Sequence, residues 1–257
     1  MITSTSNPKI KFLVQLQKKR KLREEKGIFL VEGIRMFREI PTELMEEIYA
    51  SESFYEKNKE LFNGLHKHVE ILTETVFQKV SETATPQGIL CVVKRKAYQL
   101  EDLLNHENAH ILVLEDLQDP GNVGTIFRTA EAAGVTGIIM TKATADLYQS
   151  KTIRSTMGSI FRMPCVSVDD IMGIMAMLKN HKIFTYAAHL SGEKWYNEVE
   201  YKGKVAFLIG NEGNGLSDAV SAQADTLIRI PMEGEVESLN AAIAATILMY
   251  EAYRQRR

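Results

Sequence analysis

Residues 111–134 read ILVLEDLQDPGNVGTIFRTAEAAG, and the reading of this stretch decides the fold. The opening ILVL is apolar at every position, as a strand buried on both faces must be. The turn that follows holds Asp119, Pro120, Gly121 and Asn122, ordinary helix-start chemistry with Asn122 as the expected cap. Val123, Phe127 and Ala130 then recur at helical spacing, and Gly134 closes the run. Arg128 falls off that apolar stripe, and nothing about starting a helix explains it.

The same alternation continues to the end of the chain. Strands are expected at 137–141 (GIIMT), 162–168 (RMPCVSV), 182–189 (KIFTYAAH), 205–210 (VAFLIG) and 225–230 (DTLIRI). Helices are expected at 148–159, 170–180 and 238–255. Apolar strands alternating with helices predict a mostly parallel sheet covered on both sides. Ligands of such sheets bind beyond the carboxyl ends of the strands. Three loops occupy that position: DLQDPGN (116–122), IGNEGNGLS (209–217) and IPMEGEVESLN (230–240). Their glycines allow main chain to approach a ligand closely.

The first hundred residues read differently. KIKFLVQLQKKRKLREEKG (9–27) has helical spacing, with Ile10, Leu13, Leu16 and Leu22 among cations. GIFLVEG (27–33), EEIYAS (46–51) and GILCVVKR (88–95) read as strands, and ETVFQKVSE (74–82) as a helix. The expected organisation is a small α/β domain over 1–97, a polar linker over 98–108, and the parallel-sheet domain over 109–257.

Bulk properties bound the function. Hydrophobic residues make up 45% and charged residues 25% of 257, the balance of a soluble globular protein. The net charge of −2 hides a basic start, with Lys9, Lys11, Lys18, Lys19, Arg20, Lys21, Arg23 and Lys26 against only Glu24 and Glu25. Such a segment fits a phosphate backbone, or simply a solvated helix face. Cys91 and Cys165 lie far apart in apolar runs and read as buried, reduced core residues of a cytoplasmic protein. No apolar signal core opens the chain, and LNAAIAATILMY is too short to span a bilayer. The glycine patterns of dinucleotide and P-loop sites are absent, as are the GxSxG and HExxH motifs. The scattered histidines, His66 and His68 included, predict no metal site. Trp195, in the polar run GEKWYN, reads as a packing anchor.

Taken in order, the three loops resemble the SpoU/TrmH family of the SPOUT superfamily, S-adenosylmethionine-dependent RNA 2′-O-ribose methyltransferases. The resemblance rests on DPGNVGTIFR, FLIGNEGNGLS and IPMEGEVESLNAAIAA. FLVEGIRMF and GILCVV resemble, more weakly, the ribosomal-protein-like substrate-binding domain found ahead of many members. The resemblance implies a deep trefoil knot in the second domain, with S-adenosylmethionine held bent in the knot largely by backbone groups. By position these lie at Gly210, Ile230, Met232 and Leu239. It also implies a polar active site of Asn122, Arg128, Glu212, Ser238 and Asn240, and a homodimer formed through the knotted domain.

Methyl transfer to a ribose hydroxyl is an in-line displacement that needs alignment and some means of handling a weakly acidic proton. Arg128 is the family's usual candidate for activating the hydroxyl. It could serve as a base in an unusual environment, or as an electrostatic clamp on a phosphate or developing alkoxide. Asn122, Ser238 and Asn240 are also open to plain capping roles, and Glu212 is expected to organise hydrogen bonds. For RNA contact the candidates are Lys18, Lys19, Arg20, Lys21 and Arg154. The expected substrate is large-subunit (23S) ribosomal RNA. Transfer RNA, and a non-catalytic RNA-binding protein on the same fold, are the alternatives. The closing helix, with Ala241, Ala242, Ala244, Ala245, Ile247, Leu248 and Met249 apolar nearly all round, must be covered on more than one side, which agrees with the implied dimer.

Overall fold

Gly27, in the left-handed region at φ 64°, ends one helix and starts the strand that pairs with the last strand of the first unit. In the computed structural model, which describes residues 1–257, the chain forms two compact units. The first comprises 1–97 together with 146–161; the second comprises 98–145 and 162–257.

In the first unit the elements run α1 (Pro8–Lys18), α2 (Arg20–Lys26), β1 (Ile28–Glu32), α3 (Ile34–Glu39), β2 (Met45–Ser51), α4 (Glu52–Lys57), β3 (Val69–Leu72), α5 (Glu74–Val80) and β4 (Ile89–Lys94). The sheet order is β1-β4-β2-β3, with only β2–β3 parallel. Ile10, Leu13 and Leu16 of α1 pack with Phe77 and Val80 of α5 against Leu30, Leu90 and Val92. The helix expected over 9–27 is interrupted at Lys19, whose φ of −109° and ψ of 103° are extended. The break lets Arg23 turn inward. It is 5% exposed, and its guanidinium donates to the Leu16 carbonyl (2.6 Å), the Gln17 carbonyl and the Asp146 carboxylate.

The second unit contains α6 (Leu100–Leu104), β5 (His110–Leu114), α7 (Pro120–Ala132), β6 (Gly137–Thr141), then, after the excursion that carries α8 (Ser150–Thr156) into the first unit, β7 (Cys165–Val168), α9 (Ile171–Asn180), β8 (Phe184–Ala188), β9 (Lys194–Trp195), β10 (Val205–Ile209), α10 (Asp218–Gln223), β11 (Thr226–Arg229) and α11 (Ala241–Arg256). The seven strands are ordered β7-β6-β5-β10-β8-β11-β9, and every pair is parallel. β5, β6 and β10 are buried at all five positions, as their unbroken apolar runs require.

Four local expectations change. The stretch read as a polar linker contains α6, and its Leu103 and Leu104 join the core of the sheet. The segment 146–161, expected in the second domain, packs with the first unit, where Tyr148 and Phe161 meet Phe29. Cys91 is buried, but Cys165 is only half-buried. Trp195 lies in the short edge strand β9, with the Arg229 guanidinium 3.9 Å above its ring. No helix is long and apolar enough to cross a membrane.

Candidate active site

β10, β8 and β11 end side by side, and the segments that follow them enclose a cavity of about 410 Å³. That volume lies within the range of small-molecule sites. Gly210, Ile230, Met232 and Leu239, all expected to hold a cofactor, line it together with Glu212 and Ser238. A Cβ at Gly210 would stand 2.1 Å from both the Gly215 carbonyl carbon and the Leu216 nitrogen. Only glycine lets these two chain segments lie against each other. Asn211 and Gly215 exchange backbone hydrogen bonds, each 2.9 Å, which folds 211–215 into a tight loop with Gly215 at φ 70°.

The polar residues of the three loops meet. Asn240 caps α11, its Oδ1 accepting from the Ala242 and Ile243 N–H groups at 2.9 and 3.3 Å. Its Nδ2 donates to Oδ1 of Asn122 at 2.9 Å, and the Nδ2 of Asn122 donates to Glu212 at 2.9 Å. Glu212 also accepts from the N–H groups of Gln118 (2.8 Å) and Asp119 (3.0 Å). Burial alone would raise its carboxyl, but the Gln118 N–H, the Asn122 amide and the Asp119 N–H hold it below the usual carboxylate range. The chain of amides starts at a helix N-terminus and ends on a carboxylate. Asn122 is therefore not the cap of α7. Asp119 fills that position, accepting from the Asn122 N–H at 2.8 Å. Ser238 is exposed and does not cap α11.

Arg128 stands apart from this network. It projects from the exposed face of α7 with no hydrogen bond or ion pair to the protein. The expected RNA contacts lie in the first unit and are not equivalent. Lys18 and Lys19 are exposed, whereas Arg20 donates to Glu24 at 2.9 Å and Lys21 lies 3.8 Å from Glu25. Arg154, on α8, is exposed and donates to the Ser150 hydroxyl.

Three features of the site escaped sequence reading. Ala188, which ends β8, and His189, Leu190 and Ser191 after it line the cavity; the signal available was that this loop also follows a parallel strand. Asn211 stitches its loop, accepting from Gly213 (2.8 Å) and Asn214 (3.1 Å) and donating to the Asp116 carbonyl at 2.7 Å. Glu115, at the end of β5, accepts from the N–H and hydroxyl of Ser217 at 2.8 and 2.7 Å, which ties the start of α10 to the central strand.

Residues 109–250 match the model of the SpoU rRNA Methylase family, and residues 7–91 that of the MRM3-like substrate binding domain. The chain is 32% identical over 252 residues to the 23S rRNA (guanosine(2553)-2′-O)-methyltransferase RlmP of Bacillus subtilis, covering 97% of each chain. Among solved structures it resembles the SpoU methyltransferase AviRb of Streptomyces viridochromogenes in complex with the cofactor AdoMet. The TM-score is 0.88 at 28% identity, over 97% of this chain and 98% of that one. An AdoMet-bound rRNA methyltransferase from Sinorhizobium meliloti aligns with a TM-score of 0.86 at 30% identity, over 98% and 97%.

Proposed function

Because the chain belongs to the SpoU rRNA methylase family, we propose that it transfers the methyl group of S-adenosylmethionine to a ribose 2′-hydroxyl of large-subunit ribosomal RNA in the cytoplasm. The observation that carries the reading is the coincidence of two independent sets of residues. Gly210, Ile230, Met232 and Leu239 surround one cavity, and the Asn240–Asn122–Glu212 chain reaches it through Glu212.

The cavity fits the cofactor on its own terms. Ile209, Ile230 and Leu248 give it apolar walls suited to a flat heteroaromatic ring. Strand-end N–H and C=O groups can meet ring and ribose atoms without any charged side chain. When bound there, S-adenosylmethionine supplies the electrophilic methyl group.

The protein's share of the work is alignment and charge. Asn122, Glu212 and Asn240 are positioning residues: their hydrogen-bonding groups are spent on one another, and they hold three loops in one geometry. Glu212, an acceptor of three hydrogen bonds, is unsuited to removing a proton. Arg128 has a permanently charged guanidinium and no protein counter-charge, so it acts as a clamp on a phosphate or on the developing alkoxide. Ser238, exposed at the cavity, is free to meet substrate.

Ribosomal RNA is favoured over transfer RNA because the similarity to RlmP spans both units. The reading includes a homodimer. Ile243, Tyr250 and Tyr253 leave an apolar stripe on α11 that is 51, 44 and 38% exposed, the sort of face that a second copy would cover. Light scattering at micromolar concentration distinguishes dimer from monomer.

The deciding experiment is transfer of tritiated methyl groups from labelled S-adenosylmethionine to unmodified 23S rRNA transcribed in vitro, with transfer RNA alongside. Label on 23S rRNA, lost after Arg128→Ala, is the expected result. Label on transfer RNA alone overturns the substrate. Tight cofactor binding with no transfer to either RNA overturns the enzyme.

A further inference from the structure

The cations of the first unit divide into those that are spent and those that are not. Arg20 and Lys21 face Glu24 and Glu25 on their own helix, and Arg23 is turned inward onto carbonyls and Asp146. Lys94 lies 2.8 Å from Glu46. Arg95 is different. Its N–H donates to the Gly27 carbonyl at 2.8 Å, which carries the antiparallel β1–β4 register one step past the Ile28–Lys94 pair. Lys26, exposed and without an ion pair, directly precedes Gly27, the residue to which Arg95 is bonded.

The Arg95 guanidinium does not reach for a carboxylate. It lies over the Tyr148 ring, 4.2 Å from the centroid. Tyr148 packs on Phe29 at 4.8 Å, and Phe29 on Phe161 at 6.3 Å. Planar groups thus follow one another from the buried interior outward, and the last of them is a half-exposed cation. A guanidinium held over a ring has already lost rotamer freedom, keeps its charge, and offers its outer side and N–H groups to a ligand. An unstacked nucleobase with its neighbouring phosphate needs both of those properties.

We propose that Arg95, laid over Tyr148, is a stacking platform for an unpaired nucleotide of the RNA substrate, with Lys26 contacting an adjacent phosphate. The proposal rests on the RNA methyltransferase reading. It moves the main RNA contact of this unit away from Arg20 and Lys21, whose charges are met by Glu24 and Glu25. Tyr148 comes from the 146–161 segment, so the platform needs both stretches of sequence that build the first unit.

The test is binding of fluorescently labelled, unmodified 23S rRNA transcribed in vitro to the full chain over a range of salt concentrations. Arg95→Ala is expected to raise Kd about tenfold, within what one stacked base contributes. Arg95→Lys keeps the charge and loses the flat fork, so it recovers little of that loss. Tyr148→Leu produces a similar loss with the salt dependence unchanged, whereas Tyr148→Phe keeps wild-type binding. Lys26→Ala lowers the slope of log Kobs against log salt by about one phosphate contact. Calorimetry with S-adenosylmethionine is expected to read the same in every variant. Full recovery by Arg95→Lys, or wild-type binding by Arg95→Ala, overturns the platform. Failure of the unaltered protein to bind this RNA overturns the ribosomal RNA reading instead.

Discussion

Asn240 Nδ2 lies 2.9 Å from Asn122 Oδ1 and donates to it, joining residues 118 positions apart in the chain. Asn122 cannot turn its amide to suit a different partner, because its own Nδ2 is committed to Glu212. Asn240→Ala removes both this bond and the cap of α11, and is expected to cost about 1 kcal/mol in urea unfolding. Asn240→Asp keeps the capping oxygen and loses the donor, so stability largely survives while methyl transfer falls. A double-mutant cycle between Asn122→Ala and Asn240→Ala should give a coupling of about 1 kcal/mol. Strict additivity of the two changes would mean that the residues act separately.

Gly210→Ala is expected to abolish cofactor binding. The new methyl group would occupy the space of the Gly215–Leu216 peptide, 2.1 Å away, and backbone cannot yield as a flexible side chain can. Calorimetry with S-adenosylmethionine reads the loss directly. An unchanged affinity would show that the 210–216 segment does not shape the cofactor site.

Arg128→Ala should separate activity from stability. The side chain is exposed and bonded to nothing, so unfolding should shift by less than about 0.5 kcal/mol. Methyl transfer should drop on the order of a hundredfold or more, as when an electrostatic contact to developing charge is deleted. A Lys replacement with full turnover would exclude any need for the planar fork.

His110 supplies a pH dependence unrelated to catalysis. Burial, helped by the nearby Arg256 guanidinium, pushes its imidazole down to about 3. The unfolded chain binds that proton near its ordinary value of about 6.5, and the folded chain does not. The stabilisation is complete above about 6.5 and is lost as the pH falls towards 3, by on the order of a few kcal/mol. His110→Phe, which can still pack against Phe207, should flatten the urea midpoint across that window. A variant as acid-sensitive as the parent would assign the effect to other groups.

Part of this site is legible in the sequence alone. Strand ends could be read from apolar runs such as ILVL, and the residues that follow them in a parallel sheet converge without further information. Gly210, Ile230, Met232 and Leu239 come instead from the family resemblance of the loops, and all four line the cavity. The loop at 188–191 follows the same rule but carries no family-like motif to single it out. Asn122 was expected as a cap because helix-start chemistry looks alike at Asp119 and Asn122; the choice is settled by Glu212, far away in sequence. The break at Lys19 had no local sign either, since QKKRK is built from good helix formers. What rewards the break is burial of Arg23 against Asp146, a pairing across nearly half the chain.

The excursion of 146–161 has a consequence for how the protein can be divided. The polypeptide passes from one unit to the other at 97–98, again at 145–146, and back at 161–162. A single cut after residue 97 would leave the N-terminal piece without Asp146 to meet Arg23 and without Tyr148 and Phe161 to cover Phe29. The C-terminal piece would carry those same apolar side chains as an unmatched strip. Neither half is a portable module, and a chimera that exchanges RNA-binding units between relatives must transplant two stretches of sequence rather than one.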